Sequence, residues 1–134
     1  MQEQTAFDYA VVRVVPRVDR DEFVNAGVII FAPQMRFLEA RIHVDEGRLR
    51  ALWPNLDMDQ IRRHLDAIPR IASGDPTAGP IAQLSQSARF HWLTSPRSTM
   101  IQMSAVRTGL SSEPEKLLDH LANELVLMND LVAT

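Results

Sequence analysis

Residues 23–32 constrain the fold of this chain more than any other segment. Their sequence, Phe-Val-Asn-Ala-Gly-Val-Ile-Ile-Phe-Ala, is apolar at odd and even positions and is interrupted only by Asn25 and Gly27. Because successive side chains of a strand point to opposite faces, this run predicts a central strand that is covered on both sides. Gly27 inside the run indicates a β-bulge or the close approach of another backbone.

A predicted strand lies on each side of this segment, and the connections are short. Residues 7–15 are rich in valine and aromatic side chains and end at Pro16. Residues 37–44 alternate between apolar and polar positions, which is typical of a half-buried antiparallel strand. Three consecutive strands with short loops favour an antiparallel meander, because parallel strands need long crossover connections.

Helix starts are marked in three places. Asp45 precedes a short helical pattern over residues 46–52. Asp57, with a glutamine three residues later, has the form of a capping box, and the helix that it opens is expected to end or kink at Pro69. Residues 112–115, Ser-Glu-Pro-Glu, form the third start, with the serine as the expected N-cap.

Two further strands are predicted over residues 89–93 and 99–106. Together these patterns predict an α+β fold in a single domain of residues 1–134. We expect an antiparallel sheet of about five strands, with two main helices, residues 57–68 and 114–128, packed on one face.

Composition excludes several classes of protein. The chain contains no cysteine, so disulfides, thiolate nucleophiles and cysteine-ligated metals are excluded. No segment approaches the roughly 18 consecutive apolar residues that cross a bilayer. The first residues, MQEQTAFD, are polar and acidic, unlike a secretory signal. We therefore expect a cytoplasmic protein that does not associate with membranes.

Basic residues are distributed unevenly. The formal net charge of −3 disfavours non-specific binding of nucleic acid by the whole surface. Residues 76–112, however, contain no acid and carry Arg89, Arg97 and Arg107. Arginine suits bidentate contacts with carboxylates and phosphates, so this segment predicts an anion or partner contact. We expect Arg89 and Arg107 to pair with acids elsewhere in the fold, which leaves Arg97 as the open candidate.

A candidate site follows from the residues around Arg97. In the last predicted strand, Gln102 and Ser104 share a face with apolar side chains, where polar groups need hydrogen-bond partners. Two interpretations remain open. In the first, Arg97 is a structural latch tied to the acidic loop that ends at Glu22. In the second, Arg97 belongs to a binding pocket, whose other candidate members are Gln102, Ser104, Glu22 and Asn25.

Metal binding and covalent catalysis have little support. The four histidines lie at positions 43, 64, 91 and 120, without the spacing of metal ligands, so we expect neither a metal nor a cofactor. The chain has no nucleophile elbow of the form G-x-S-x-G and no phosphate-binding loop.

Binding of single-stranded nucleic acid is a further alternative. Phe90 and Trp92, next to Arg89, combine the aromatic and cationic groups that stack and neutralise a single strand. Both aromatic side chains fall on one face of a predicted strand, however, and core packing explains such a pair without any ligand. This hypothesis requires both rings to be exposed.

Four blocks of the sequence resemble a known family. They are residues 9–16 (YAVVRVVP), 22–28 (EFVNAGV), 89–93 (RFHWL) and 96–98 (PRS). In this combination the chain resembles, from residue 7 to about residue 127, a bacterial family of small proteins catalogued only as a domain of unknown function. The resemblance implies that the family pattern includes Glu22, Asn25, Gly27, Arg97 and Gln102. His91 departs from this pattern, since relatives tend to have arginine there.

The resemblance also implies a biological setting. Members of the family are often encoded beside a HipA-like serine/threonine kinase, which suggests an accessory or regulatory role in a toxin–antitoxin-like module. We therefore expect a non-catalytic interaction or regulatory module with a HipA-like kinase as its protein partner. The first alternative is a small enzyme or a nucleotide- or anion-binding protein, with a pocket formed by Glu22, Asn25, Arg97 and Gln102. The second alternative is a binder of single-stranded nucleic acid.

Overall fold

The computed structural model describes residues 3–16, 18–98 and 100–127, with the backbone alone at Val18. In these ranges the fold is α+β, with a five-stranded antiparallel sheet and four α-helices. The strands are β1 (Thr5–Val14), β2 (Val24–Ala32), β3 (Phe37–Ile42), β4 (Ile101–Met103) and β5 (Arg107–Ser111). The helices are α1 (Glu46–Leu52), α2 (Met58–Ser73), α3 (Gln86–Thr94) and α4 (Pro114–Ala122), and a π-helical segment, Asn123–Leu127, follows α4.

The first strand organises the sheet. The strand order is β3-β2-β1-β4, and β5 also pairs with β1. One edge of β1 pairs with β2, which forms the predicted meander together with β3. The other edge pairs with β5 along its first half and with β4 along its second half. The two short strands β4 and β5 therefore share a single long neighbour.

A β-bulge lies in β2 where the sequence has Gly27. Gly27 is opposite Val12 and Asn25 is opposite Arg13, so Ala26 is the extra residue. The prediction of an irregularity at this glycine is confirmed. Because the extra residue reverses the alternation of the strand, the side chains before and after the bulge change faces.

The two faces of the sheet carry separate hydrophobic clusters. Ile29 and Phe31 of β2 pack in a cluster with α1, α2 and α3. Val28 and Ile30, which alternate with them, pack in a second cluster with Leu118 of α4 and Val126. The expectation that the two main helices pack on one face is therefore not confirmed, because α2 and α4 contact opposite sides of β2.

Residues 89–93 are helical, so the strand predicted there is wrong. They lie inside α3, whose N-cap Ser85 accepts a hydrogen bond from the backbone N–H of Ala88. Phe90 and Leu93 are the buried residues of this helix. Their three-residue spacing is helical, whereas the pair Phe90 and Trp92 suggested a strand.

Other element boundaries also differ from the predictions. Of the strand predicted over residues 99–106, only Ile101–Met103 is extended, and Thr99 lies outside the described residues. Strand β5 follows at residues that were assigned to no strand. Helix α2 continues through Pro69 to Ser73. Met128, the end of the last predicted helix, also lies outside the described residues.

The short helix α1 and the start of α2 match their predictions. The carboxylates of Asp45 and Asp57 accept hydrogen bonds from the backbone N–H groups of Arg48 and Gln60, respectively. At α4 the N-cap is Glu113 instead of Ser112, and Pro114 is the first helical residue. Within the described ranges, no helix is both long enough and apolar enough to span a membrane.

A cationic cavity beside Arg97

A cavity of about 620 Å³ lies between α2, the C-terminal end of α3, the following loop and β4. We call it the Arg97 cavity. Ligand pockets of proteins generally have volumes of roughly 300–1,000 Å³, so this cavity is large enough for a small ligand or for several side chains of a partner. Its wall is largely apolar and is formed by Ala67, Ile68, Ile71, Leu93, Ile101 and Met103.

The charged and titratable side chains of this cavity are Arg63, His64 and Arg97. All three are exposed, whereas Leu93 in the wall is buried. Among the described residues that line the cavity there is no aspartate or glutamate. The cavity therefore has an apolar interior and a mouth that attracts anions.

Arg97 is held by stacking. Its guanidinium carbon lies 3.5 Å from the centre of the Trp92 ring, which is a close cation–π contact. Partial burial lowers the pKa of Arg97 below its ordinary value, because desolvation disfavours the charged form. Arg97 makes no ion pair with any described residue, so the lost hydration is not offset by a carboxylate. An anion that binds beside Arg97 supplies the charge interaction that offsets this lost hydration.

Hydrogen bonds between residues that are close in sequence shape the loop that carries Arg97. At its start, the hydroxyls of Thr94 and Ser95 donate to the carbonyl oxygens of Phe90 and His91 in the last turn of α3. At its end, Oγ of Ser98 accepts hydrogen bonds from the backbone N–H groups of Met100 and Ile101. Residues 95–98 are therefore tied to α3 on one side and to β4 on the other, which positions Arg97 over Trp92.

Gln102 and Ser104, the predicted neighbours of Arg97, have different environments. Gln102 lies in β4 opposite Arg13 and contributes to the cavity lining. Ser104 accepts a hydrogen bond of 2.8 Å from the backbone N–H of Val11 and donates one of 3.0 Å to the carbonyl of Ala105. Ser104 therefore extends the pairing of the sheet beyond β4 and does not line the cavity.

Glu22 and Asn25 lie elsewhere. Glu22 pairs with Arg20 within its own loop. Asn25 donates a hydrogen bond of 2.9 Å to the carbonyl oxygen of Leu125, beyond α4 and on the face of the sheet away from α2. Of the four residues of the predicted Glu/Asn/Arg/Gln pocket, Arg97 and Gln102 line this cavity, and Glu22 and Asn25 do not. Asn25 and Gln102 flank Arg13 from the two sides of β1. Among described residues, the alternative latch between Arg97 and Glu22 is not formed either.

The remaining residues of the acid-free segment are structural or exposed. Arg89 donates hydrogen bonds to the carbonyl oxygens of Leu84 and Ala72, so its predicted ion pair with an acid is replaced by backbone contacts. Phe90 is only 7% exposed and packs on Phe31. The hypothesis of single-strand stacking on Phe90 and Trp92 is wrong, because it requires both rings to be exposed. Arg107 is exposed in β5.

The sequence interpretation missed Arg63 and His64 as members of the site. Arg63 is an exposed residue of α2. Its spacing from Ala67 and Ile71 is four and eight residues, which places all three on one side of α2. The signal available in the sequence was the small residue Ala67, which lies four residues after Arg63 and four residues before buried Ile71. Within the described ranges, no group of three or more potential metal-binding side chains occurs.

The fold and the cavity define a small α+β protein with an antiparallel sheet between helices and an anion-attracting cavity beside one helix layer. The chain belongs to the DUF3037 family, described as a protein of unknown function, whose model matches residues 9–126. Neither a curated protein nor a solved structure matches this chain.

Proposed function

We propose that this protein is a non-catalytic, cytoplasmic interaction or regulatory module, and that the Arg97 cavity binds an acidic group of a protein partner. The observation that carries the proposal is the state of Arg97. Its guanidinium is stacked on Trp92 and partly desolvated, and it lacks an acidic partner among the described residues. Arg63 and His64 line the same cavity, to which none of the acidic residues in the described part of the chain contributes. Positive charge without a counterion favours a negatively charged partner.

The chemistry of the cavity favours binding over catalysis. Nucleophilic catalysis needs a hydroxyl or thiol whose proton is taken by a neighbouring base. The hydroxyls of Thr94 and Ser95 donate to backbone carbonyls instead, and their role is to end α3. His64 is exposed and has no orienting carboxylate within the cavity lining. This arrangement supplies positive charge and apolar surface, which are the elements of recognition.

The identity of the partner rests on the sequence resemblance. The bacterial relatives that the sequence resembles are often encoded beside a HipA-like kinase, so we propose such a kinase as the partner and a toxin–antitoxin-like module as the setting. An acidic surface segment of the kinase is the group that Arg97 contacts in this proposal. The complementary charges position the two proteins and accelerate their association.

Co-purification with the kinase encoded beside this protein tests the proposal. We expect a complex at micromolar concentrations, and roughly tenfold weaker binding by Arg97→Gln, because a buried charge-assisted contact is lost. Arg107→Gln is the matched control, since it removes the same charge from an exposed residue outside the cavity, and its affinity stays within about twofold. Absence of a complex at micromolar concentrations contradicts the proposal.

Binding of a small organic anion is the second candidate, and the volume of the cavity favours it. In this case Arg97 and Gln102 contact the ligand, while Glu22 and Asn25 have no part. Titration with inorganic phosphate and with ATP, followed by the tryptophan fluorescence of a Trp53→Phe variant, in which Trp92 is the remaining tryptophan, tests this candidate. Saturable quenching that Arg97→Gln abolishes supports it, whereas an unchanged spectrum contradicts it.

A further inference from the structure

The mouth and the interior of the Arg97 cavity favour the binding of two different chemical groups. The mouth carries Arg63, His64 and Arg97, which attract an anion. In the interior, half-buried Ala67, Ile101 and Met103 keep part of their apolar surface in contact with water, and buried Leu93 lies in the wall beside them. Removal of apolar surface from water is favourable in proportion to its area. A partner group that is only acidic leaves this wall exposed.

The surroundings of Arg97 also discriminate between anions. Helix α3 ends at Thr94, next to Arg97, and the carbonyl end of a helix carries a partial negative charge. A phosphate dianion is best held by free backbone N–H groups at a helix N-terminus. Here the neighbouring hydroxyls of Thr94 and Ser95 donate to helix carbonyls. A singly charged carboxylate therefore fits this mouth better than a phosphate does.

We propose that the partner segment bound in the Arg97 cavity is an acidic–hydrophobic peptide. The carboxylate of an aspartate or glutamate contacts Arg97, with Arg63 beside it. A bulky apolar side chain one or two positions away enters the interior against Leu93 and Met103. This inference rests on the proposed function, since it specifies the chemistry of the protein segment that the module recognises.

Selection from a random 12-residue peptide library provides the test. The library is selected on the wild-type protein and counter-selected on Arg97→Gln, so that only peptides that depend on this guanidinium remain. We expect the enriched peptides to share an aspartate or glutamate within two residues of a bulky apolar residue. Far-UV circular dichroism of each variant confirms that it is folded before use.

Calorimetric titration of the strongest enriched peptide separates the two contributions. We expect replacement of its acid by the amide, or of its apolar residue by alanine, to weaken binding by roughly tenfold in each case. Replacement of the acid by phosphoserine gives no gain in affinity. On the protein, Ala67→Phe fills the interior of the cavity without changing its charge, and we expect it to bind the peptide roughly tenfold more weakly. This variant tests the apolar contact even if Arg97→Gln does not fold.

The outcomes distinguish this inference from the proposed function. Enriched peptides that are acidic without any apolar preference overturn the inference, while the kinase complex and its dependence on Arg97 still stand. A gain of roughly tenfold with phosphoserine overturns the choice of carboxylate over phosphate. Failure to enrich any peptide that binds the wild type more tightly than Arg97→Gln overturns the inference and removes Arg97 from partner recognition.

Discussion

Gly27 lies where β2 and β3 approach each other too closely for a side chain. A Cβ atom at this position would be 2.5 Å from Cδ1 of Ile42 and 2.7 Å from the carbonyl oxygen of Arg41. The isoleucine can rotate, but the backbone oxygen belongs to a paired strand and cannot move without disturbing the sheet. The contact coincides with the bulge that reverses the alternation of β2.

Gly27→Ala is predicted to destabilise the protein by about 1–3 kcal/mol, because the added methyl group overpacks the β2–β3 contact. The free energy of unfolding from urea denaturation measures the effect. Gly47→Ala is the control. Its Cβ meets only Oδ1 of Asp45 at 3.8 Å, and alanine favours the helix by up to about 1 kcal/mol over glycine. Equal unfolding midpoints for wild type and Gly27→Ala would show that the strands separate easily.

At the same scale, the sequence indicated the irregularity at Gly27 correctly, while the binding role of Arg97 stays a prediction. Glycine in an apolar strand has few explanations, so its meaning is local. Asn25 and Ser104 are different, because their hydrogen bonds join distant parts of the chain. The partner of Asn25 is 100 positions away, and the partner of Ser104 is 93 positions away. Whether a polar side chain satisfies a distant backbone group or lines a cavity depends on the fold around it, and no spacing in the sequence encodes that choice.

At the scale of elements, Glu46 connects the first two helices. Its carboxylate accepts hydrogen bonds from Arg62 of α2 at 2.6 Å and from Arg50 of α1 at 2.8 Å. These contacts lower the pKa of Glu46 below its ordinary value of 4.5, with the bond from Arg62 as the largest cause. The ionised form of Glu46 is therefore more stable, relative to the protonated form, in the folded protein than in the unfolded chain.

The sign of the resulting pH dependence follows from this lowered pKa. Stabilisation by Glu46 is complete above pH 4.5 and is lost as the pH falls through the lower value of the folded state. We predict that the free energy of unfolding decreases on acidification below pH 4.5, and that Glu46→Gln makes this decrease smaller. Urea denaturation at a series of pH values measures both slopes.

Glu39→Gln serves as the control for the acid series. Glu39 is exposed in β3 and forms no ion pair with a described residue. The free energy of unfolding of Glu39→Gln should therefore depend on pH nearly as that of the wild type does. An identical slope for Glu46→Gln and wild type would contradict the link between α1 and α2. The effect is expected to shrink in high salt, because the pair is exposed.

Element types were predicted well where a segment had a cap or a clear alternation. The three meander strands, α1 and the start of α2 belong to this group. The segment 89–93 failed because it is too short for its periodicity to be decisive, and aromatic residues at positions 90 and 92 mimic one face of a strand. Helix α2 continues past Pro69 because packing of Ile71 and Ala72 in the core offsets the lost hydrogen bond.

At the scale of the whole molecule, β2 couples two hydrophobic clusters. Ile29 is fully buried towards α2 and Ile30 is fully buried towards α4. An ion pair between Arg41 of β3 and Asp119 of α4 further joins the helix to the sheet. Because adjacent residues of a single strand contribute to both clusters, loss of either cluster disturbs the backbone that carries the other.

Ile30→Ala is predicted to lower the free energy of unfolding by about 2–5 kcal/mol, because it leaves a cavity under α4. Both tryptophans, Trp53 and Trp92, lie with the opposite cluster. We expect the unfolding midpoints from tryptophan fluorescence and from far-UV circular dichroism to shift together, as in a two-state transition. Leu110→Ala, at a residue 65% exposed, should change stability by no more than about 0.5 kcal/mol. Separate midpoints would mean that the two clusters unfold independently.

The sequence by itself determined the sheet class, the central strand that is covered on both sides and the bulge at Gly27. These properties follow from periodicity and from the position of a glycine, which act over a few residues. The tertiary structure alone decided that α2 and α4 lie on opposite faces and that Arg63 and His64 join Arg97 around one cavity. A strand that is apolar on both faces needs cover on each side, but which helix supplies it depends on packing between segments that are far apart in the sequence. The same packing keeps Glu22 and Asn25 out of the Arg97 cavity, whose described lining residues include no acid.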